Sequence, residues 1–137
     1  MSQNTMTVYE LKIEHEVANS KLFTECGLFF AFSKKQFNDN KTPLKVGEKY
    51  VSLLGGGYCP KSNIDKLLNG MEENRKAYEA KIKANNLRVR EIAYELGNHE
   101  CYYTGDWSQV ADMFPEIKPE VIHRIYLMES KKEYQHG

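Results

Sequence analysis

Leu28-Phe29-Phe30-Ala31-Phe32-Ser33-Lys34-Lys35-Gln36-Phe37 is the stretch that decides the fold class. Its first five residues form a continuous apolar run too short for a helix, which predicts a central strand buried on both faces and marks the best core candidate. Ser33 and Gln36 then stand in the Ser-x-x-Gln form, in which a hydroxyl and an amide satisfy free backbone donors at a helix start. A single helical turn ending near Phe37 is expected, followed by a turn-rich loop over residues 38–43.

Upstream, Val8, Tyr9, Leu11 and Ile13 come close to alternation and predict a first strand over residues 7–13. Val17, Ala18, Leu22 and Phe23 return to helical spacing and predict a short helix over residues 14–26, stopped by Gly27. Downstream, Tyr50, Val51, Leu53 and Leu54 predict another strand, closed by Gly55, Gly56 and Gly57. A helix opens after Ser62 on the stripe Ile64, Leu67, Leu68 and Met71, turns polar beyond Gly70 and ends at Asn85-Asn86.

A further helix carries Leu87, Val89, Ile92, Ala93 and Leu96 and stops near Gly97-Asn98, with a brief extended segment at Cys101-Tyr102-Tyr103. Asp106 caps a short helix through Trp107, Val110, Ala111 and Met113, which Pro115 forces to end near Phe114. Pro119 begins the last helix. Strands fall early and helices late, which predicts an α+β fold with a small sheet of about three strands, mainly N-terminal, packed on one face by the C-terminal helices. One domain over residues 1–137 is expected, with residues 1–6 and 130–137 frayed.

Nineteen basic and nineteen acidic residues cancel, so overall charge recruits neither nucleic acid nor an anionic membrane. No run approaches the length of a membrane span, and the first six residues lack the form of a secretion signal. Three widely spaced cysteines, Cys26, Cys59 and Cys101, suit reduced thiols, which places the protein in the cytoplasm.

Two stretches carry chemistry. The first is Gly55-Gly56-Gly57-Tyr58-Cys59-Pro60-Lys61-Ser62, expected between a strand and a helix start, where backbone donors and the helix dipole favour an anion. Pro60 occupies the place of the second glycine of a phosphate loop, which argues against a nucleotide triphosphatase. A plain tight turn with a solvated Lys61 is the simpler account. The second stretch is residues 98–106, with Asn98, His99, Glu100, Cys101, Tyr102, Tyr103 and Asp106. His99 and Glu100 are the weak candidates for acid–base work, while Asp106 reads as a helix cap and Cys101 as a small buried hydrophobe. Cys59 with His99 makes a poor nucleophile pair, since nothing orients it. No spacing fixes a metal, and no cofactor is expected. Tyr58, Tyr102, Tyr103 and Trp107 are candidate interface aromatics, although core packing accounts for most of them.

The blocks at residues 29–37, 48–57 and 94–106, namely FFAFSKKQF, EKYVSL with the following glycines, and YELGNHE with YTGD, resemble a family of small uncharacterised proteins from phages and bacteria. The resemblance spans residues 9–113. It implies a phage or mobile-element setting and brings no activity and no catalytic residue.

The expected function is therefore a non-enzymatic binding or regulatory protein, acting on a host system as a possible inhibitor of host defence. Its pocket or surface would draw on Gly55, Gly56, Gly57, Lys61, Ser62, Asn98, His99, Glu100 and Tyr103, with a protein partner or a small anionic ligand. The rival is a small hydrolase of a phosphate-containing or nucleotide substrate, with His99 and Glu100 at work and Lys61 holding an oxyanion. A third alternative is nucleic-acid binding through Lys81, Lys83, Arg88 and Arg90, a run that a solvated helix face explains equally well.

Overall fold

The computed structural model describes residues 7–136, and side chains through residue 131. The expected fraying of residues 1–6 lies outside the described residues. The chain forms two compact units, Glu10–Ala80 and Met1–Tyr9 with Lys81–Gly137.

Helix α1 (Val8–Cys26) opens the described chain, so the strand expected over residues 7–13 is instead the first turns of a helix. Burial explains the correction. Val8, Leu11, Leu22 and Cys26 are buried while Tyr9, Ile13 and Val17 are exposed, and the separations of the buried positions are built from helical steps of three and four rather than two. Gly27 ends the helix at φ 72°, a torsion that suits a residue without Cβ.

Helix α3 (Ile64–Ala84) runs antiparallel to α1 within the first unit; α2 lies between them in sequence and is placed below. Asn74 Nδ2 donates to Asn19 Oδ1 at 2.9 Å, and the His15 and Tyr78 rings lie 5.3 Å apart. A Cβ on Gly70 would meet Leu22 Cδ1 at 2.6 Å, so the glycine where the sequence turns polar lets the two helices close on each other. Asn86, at φ 53°, turns the chain after α3.

The sheet has three short antiparallel strands, β1 (Phe29–Phe30), β2 (Tyr50–Leu53) and β3 (Gly57–Pro60), in the order β1-β3-β2. The Phe29 segment is therefore an edge strand and not a central one: Phe29 is buried, whereas Phe30 and Phe32 are 47% and 76% exposed. The central strand is Gly57-Tyr58-Cys59-Pro60, with Tyr58 opposite Phe29 and Ser52. Pro60 closes β3, where proline is tolerated in a sheet more readily than mid-strand.

One sheet face places Cys59 and Leu53 against Leu22, Cys26, Leu67 and Ile64 of α1 and α3. On the other, Phe29, Tyr50 and Tyr58 meet Phe37 of α2 (Lys34–Asn40), with ring centroids 5.1 to 5.5 Å apart. Edge-to-face and stacked pairs of this kind add to simple burial. The α2 cap is close to the expected form: Ser33 Oγ accepts from the Gln36 N–H at 3.1 Å, and Gln36 Oε1 accepts from the Phe32 N–H at 2.7 Å. The helix continues past Phe37 to Asn40.

The second unit is helical. Helices α4 (Arg88–Asn98), α5 (Cys101–Thr104), α6 (Ser108–Met113) and α7 (Pro119–His136) surround a core of Ile92, Leu96, Cys101, Val110, Ile122 and Ile125 with Phe114. The extended segment expected at residues 101–103 is the single helical turn α5. Asp106 was expected to cap α6, but Trp107 holds the cap position; Asp106 lies one residue before it, and its Oδ1 accepts from the Ser108 N–H at 2.9 Å and from the Ser108 hydroxyl at 2.6 Å. Pro119 opens α7, which runs to His136. Helices and a small antiparallel sheet together make an α+β fold. Among the described residues, no helix is long and apolar enough to cross a membrane.

Candidate functional site

The glycine stretch lies in the first unit and forms the turn of a β-hairpin. Gly55 and Gly56 take φ 76° and 81°, and Gly57 begins β3. The expected order of strand, glycine loop and helix is thus strand, turn and strand, so the loop amides do not lead into a helix start. Cys59 is fully buried in β3 beside Cys26, and burial pushes both thiols up, which disfavours the thiolate a nucleophile needs.

Lys61 and Ser62 follow β3 in a helical turn that leads into α3. The Lys61 N–H donates to the Lys49 carbonyl at 2.9 Å. The Ser62 N–H donates to Glu48 Oε1 at 2.9 Å, and the Ser62 hydroxyl donates to the same oxygen. Lys45 N–H donates to Glu48 Oε2 at 3.2 Å. The anion that these donors favour is supplied by the chain itself, as the carboxylate of Glu48.

The Ser62 hydroxyl, then the Ser62 amide, hold the Glu48 carboxyl below its ordinary 4.5, and the Ser108 hydroxyl and amide hold Asp106 below its ordinary 3.8. A carboxyl lowered in the folded state stabilises it fully above the ordinary value, and that contribution is lost as pH falls toward the lowered one. Thermal melts of Glu48→Gln with Asp106→Asn should therefore lose less stability than wild type on acidification below pH 4.5. An acid limb as steep as that of wild type would exclude these contacts as its source.

The second stretch lies in the helical unit. Asn98 ends α4, and His99 caps it with Nε2 3.7 Å from Glu95 Oε1. Cys101 is buried, and burial pushes its thiol up as well. Glu100 sits at φ 56°, in the left-handed region that a non-glycine residue occupies at a cost of roughly 1–2 kcal/mol. Its side chain and that of Tyr103 line a surface cleft of about 460 Å³, within the usual range of ligand pockets, roughly 300–1,000 Å³.

Ala93, Tyr94 and Gly97 of α4 line this cleft too, together with Tyr102 and Glu129. An adjoining cleft of about 370 Å³ shares Ala93, Tyr94 and Glu129 and continues past Arg90 to Thr7, Val8 and Tyr9. Arg90, Ala93, Tyr94 and Gly97 are spaced as i, i+3, i+4 and i+7, one face of the helix. The opposite face carries the buried Glu91, Ile92, Glu95 and Leu96. Two small residues a turn apart, Ala93 and Gly97, line the groove together with tyrosines.

Tyr102 is fixed from behind. Its ring stacks on Tyr126 at 5.6 Å, Tyr126 on His123 at 6.4 Å, and His123 on Trp107 at 5.1 Å. Tyr103, by contrast, is 93% exposed. Of the residues selected from sequence, Glu100 and Tyr103 line the cleft; Asn98 and His99 are not among its lining residues. Ala93, Tyr94, Gly97 and Glu129 were missed, although the repeat of small residues on the outer face of α4 was legible.

The basic run divides between helices. Lys81 and Lys83 lie on α3, while Arg88 is paired with Glu91 and held 5.8 Å from the Phe114 ring. Among the described residues, no group of three or more His, Cys, Asp or Glu is placed to hold a metal ion.

Fold and cleft together describe a small α+β protein that presents a tyrosine-walled groove on one helix. The chain belongs to a family of unknown function, DUF7659, whose profile matches residues 11–134. No curated protein and no solved structure matches the chain.

Proposed function

We propose that this protein is a non-enzymatic binding protein that holds a segment of a protein partner in the groove along α4. The observation that carries this reading is the outer stripe of α4: the small residues Ala93 and Gly97 line the cleft together with Tyr94, Tyr102 and Tyr103. Tyrosines offer large contact area at small entropic cost and recur as anchors in interfaces. A regulatory action on a host system, in a phage or mobile-element setting, is the role this reading favours.

Filling the groove tests it. A Cβ on Gly97 would have the Tyr102 ring 3.9 Å away, an ordinary contact, and Gly97 lies within α4. Gly97→Leu should keep the fold, with stability unchanged or raised by up to ~1 kcal/mol through helix propensity. A partner recovered with the wild-type protein from cells that make it should be absent with Gly97→Leu. Equal recovery with both, or turnover of a substrate by the purified chain, would overturn the proposal.

A further inference from the structure

We infer that the Glu100 end of the groove receives the cationic end of a lysine or arginine side chain from the protein partner, an inference that rests on the groove being the binding surface. The lining there comprises Tyr94, Tyr102 and Tyr103 with Glu100 and Glu129, and none of the described lining residues is basic. A tyrosine face attracts a cation through its ring quadrupole, and a neighbouring carboxylate adds direct attraction. An anionic ligand would face the Glu100 carboxylate. A purely apolar side chain would cover the Glu100 carboxylate without compensating its lost hydration.

The backbone supports the assignment. Glu100 is held at φ 56° between α4 and α5, an unfavourable torsion for a residue with a side chain, and that side chain lines the cleft. Glycine would relieve the strain but would remove the charge from the wall.

The rest of the groove selects a protein segment over a free amine. Beyond the shared residues Ala93, Tyr94 and Glu129 it continues past Arg90, the one basic residue among the described lining residues. The seven helical steps from residue 90 to residue 97 span about 10 Å. A small amine would fill only the acidic end, whereas an extended segment fills the length. The unlike charges at the two ends also set its direction, with the cationic side chain over Glu100 and an acidic or polar one toward Arg90.

The test uses N-acetyl-lysine methylamide and N-acetyl-norleucine methylamide, which differ by the ammonium group, titrated onto the full chain while backbone amide resonances are followed. The lysine probe should shift the resonances of residues 94, 97, 100 and 103 and bind at least roughly fivefold more tightly than norleucine. Glu100→Gln should remove most of that preference. Equal binding of norleucine at these residues would overturn the cation assignment and leave the groove as a binding surface. No shift of cleft resonances by either probe, near the limit of probe solubility, would overturn both.

Discussion

Ile122→Ala should lower the unfolding free energy by about 2–5 kcal/mol, the cost of removing buried methyl groups and leaving a cavity that neighbours fill only in part. Ile122 is fully buried on α7, in one cluster with Leu96 of α4 and Val110 of α6. The spread depends on how far those neighbours collapse into the space. For a chain of this size the loss corresponds to a fall in Tm of roughly 10 °C. Trp107, the only tryptophan, packs against this same cluster, so its fluorescence reports the transition of the helical unit directly. A shift worth less than ~1 kcal/mol would mean that these helices do not depend on the core described for them. The result also bears on the groove, because the outer face of α4 keeps its geometry only while its inner face stays packed.

That division of α4 into two faces was partly written in the sequence. Leu87, Val89, Ile92, Ala93 and Leu96 were read as its apolar stripe; Leu87, Ile92 and Leu96 are buried, whereas Val89 is exposed and Ala93 also borders the cleft. The outer stripe escaped notice because alanine and glycine carry no chemistry; their meaning is the space they leave between larger neighbours. Glu100 and Tyr103 were selected as polar and aromatic residues at a helix exit, yet nothing in the sequence tells which of residues 98–103 line a common cleft. That depends on the left-handed torsion of Glu100, which turns the chain between α4 and α5.

The sheet was harder to read for a different reason. Gly57-Tyr58-Cys59-Pro60 begins with glycine and ends with proline, so locally it resembles a loop, and only pairing on both sides makes it the central strand. With β3 overlooked, the Phe29 run was assigned the central place, and the glycine turn was expected to lead into a helix. Residues 7–13 failed through their exposed apolar residues: Tyr9 and Ile13 lie on the outer face of α1 and imitate alternation. In α4 the buried Ile92 and Leu96, four residues apart, kept the helical period plain despite the exposed Val89.

Tyr103→Ala should separate binding from folding most sharply. The side chain is 93% exposed and sits at the edge of the cleft, so truncation should leave stability within about ±0.5 kcal/mol of wild type. An aromatic that is exposed in the free protein and enclosed by a partner behaves otherwise in the complex. Losing such an anchor costs 2 kcal/mol or more, about a thirtyfold rise in Kd. Tyr102→Ala would lose a comparable binding contribution but would also remove the ring stacked on Tyr126, so it mixes the two effects. The measurement is therefore a titration of Tyr103→Ala against the recovered partner, with Lys61→Ala as the control from the other unit. A thirtyfold loss for the first and none for the second localises recognition to the groove. The reverse pattern would move it to the hairpin and its following turn, where Glu48 already occupies the donors of Ser62.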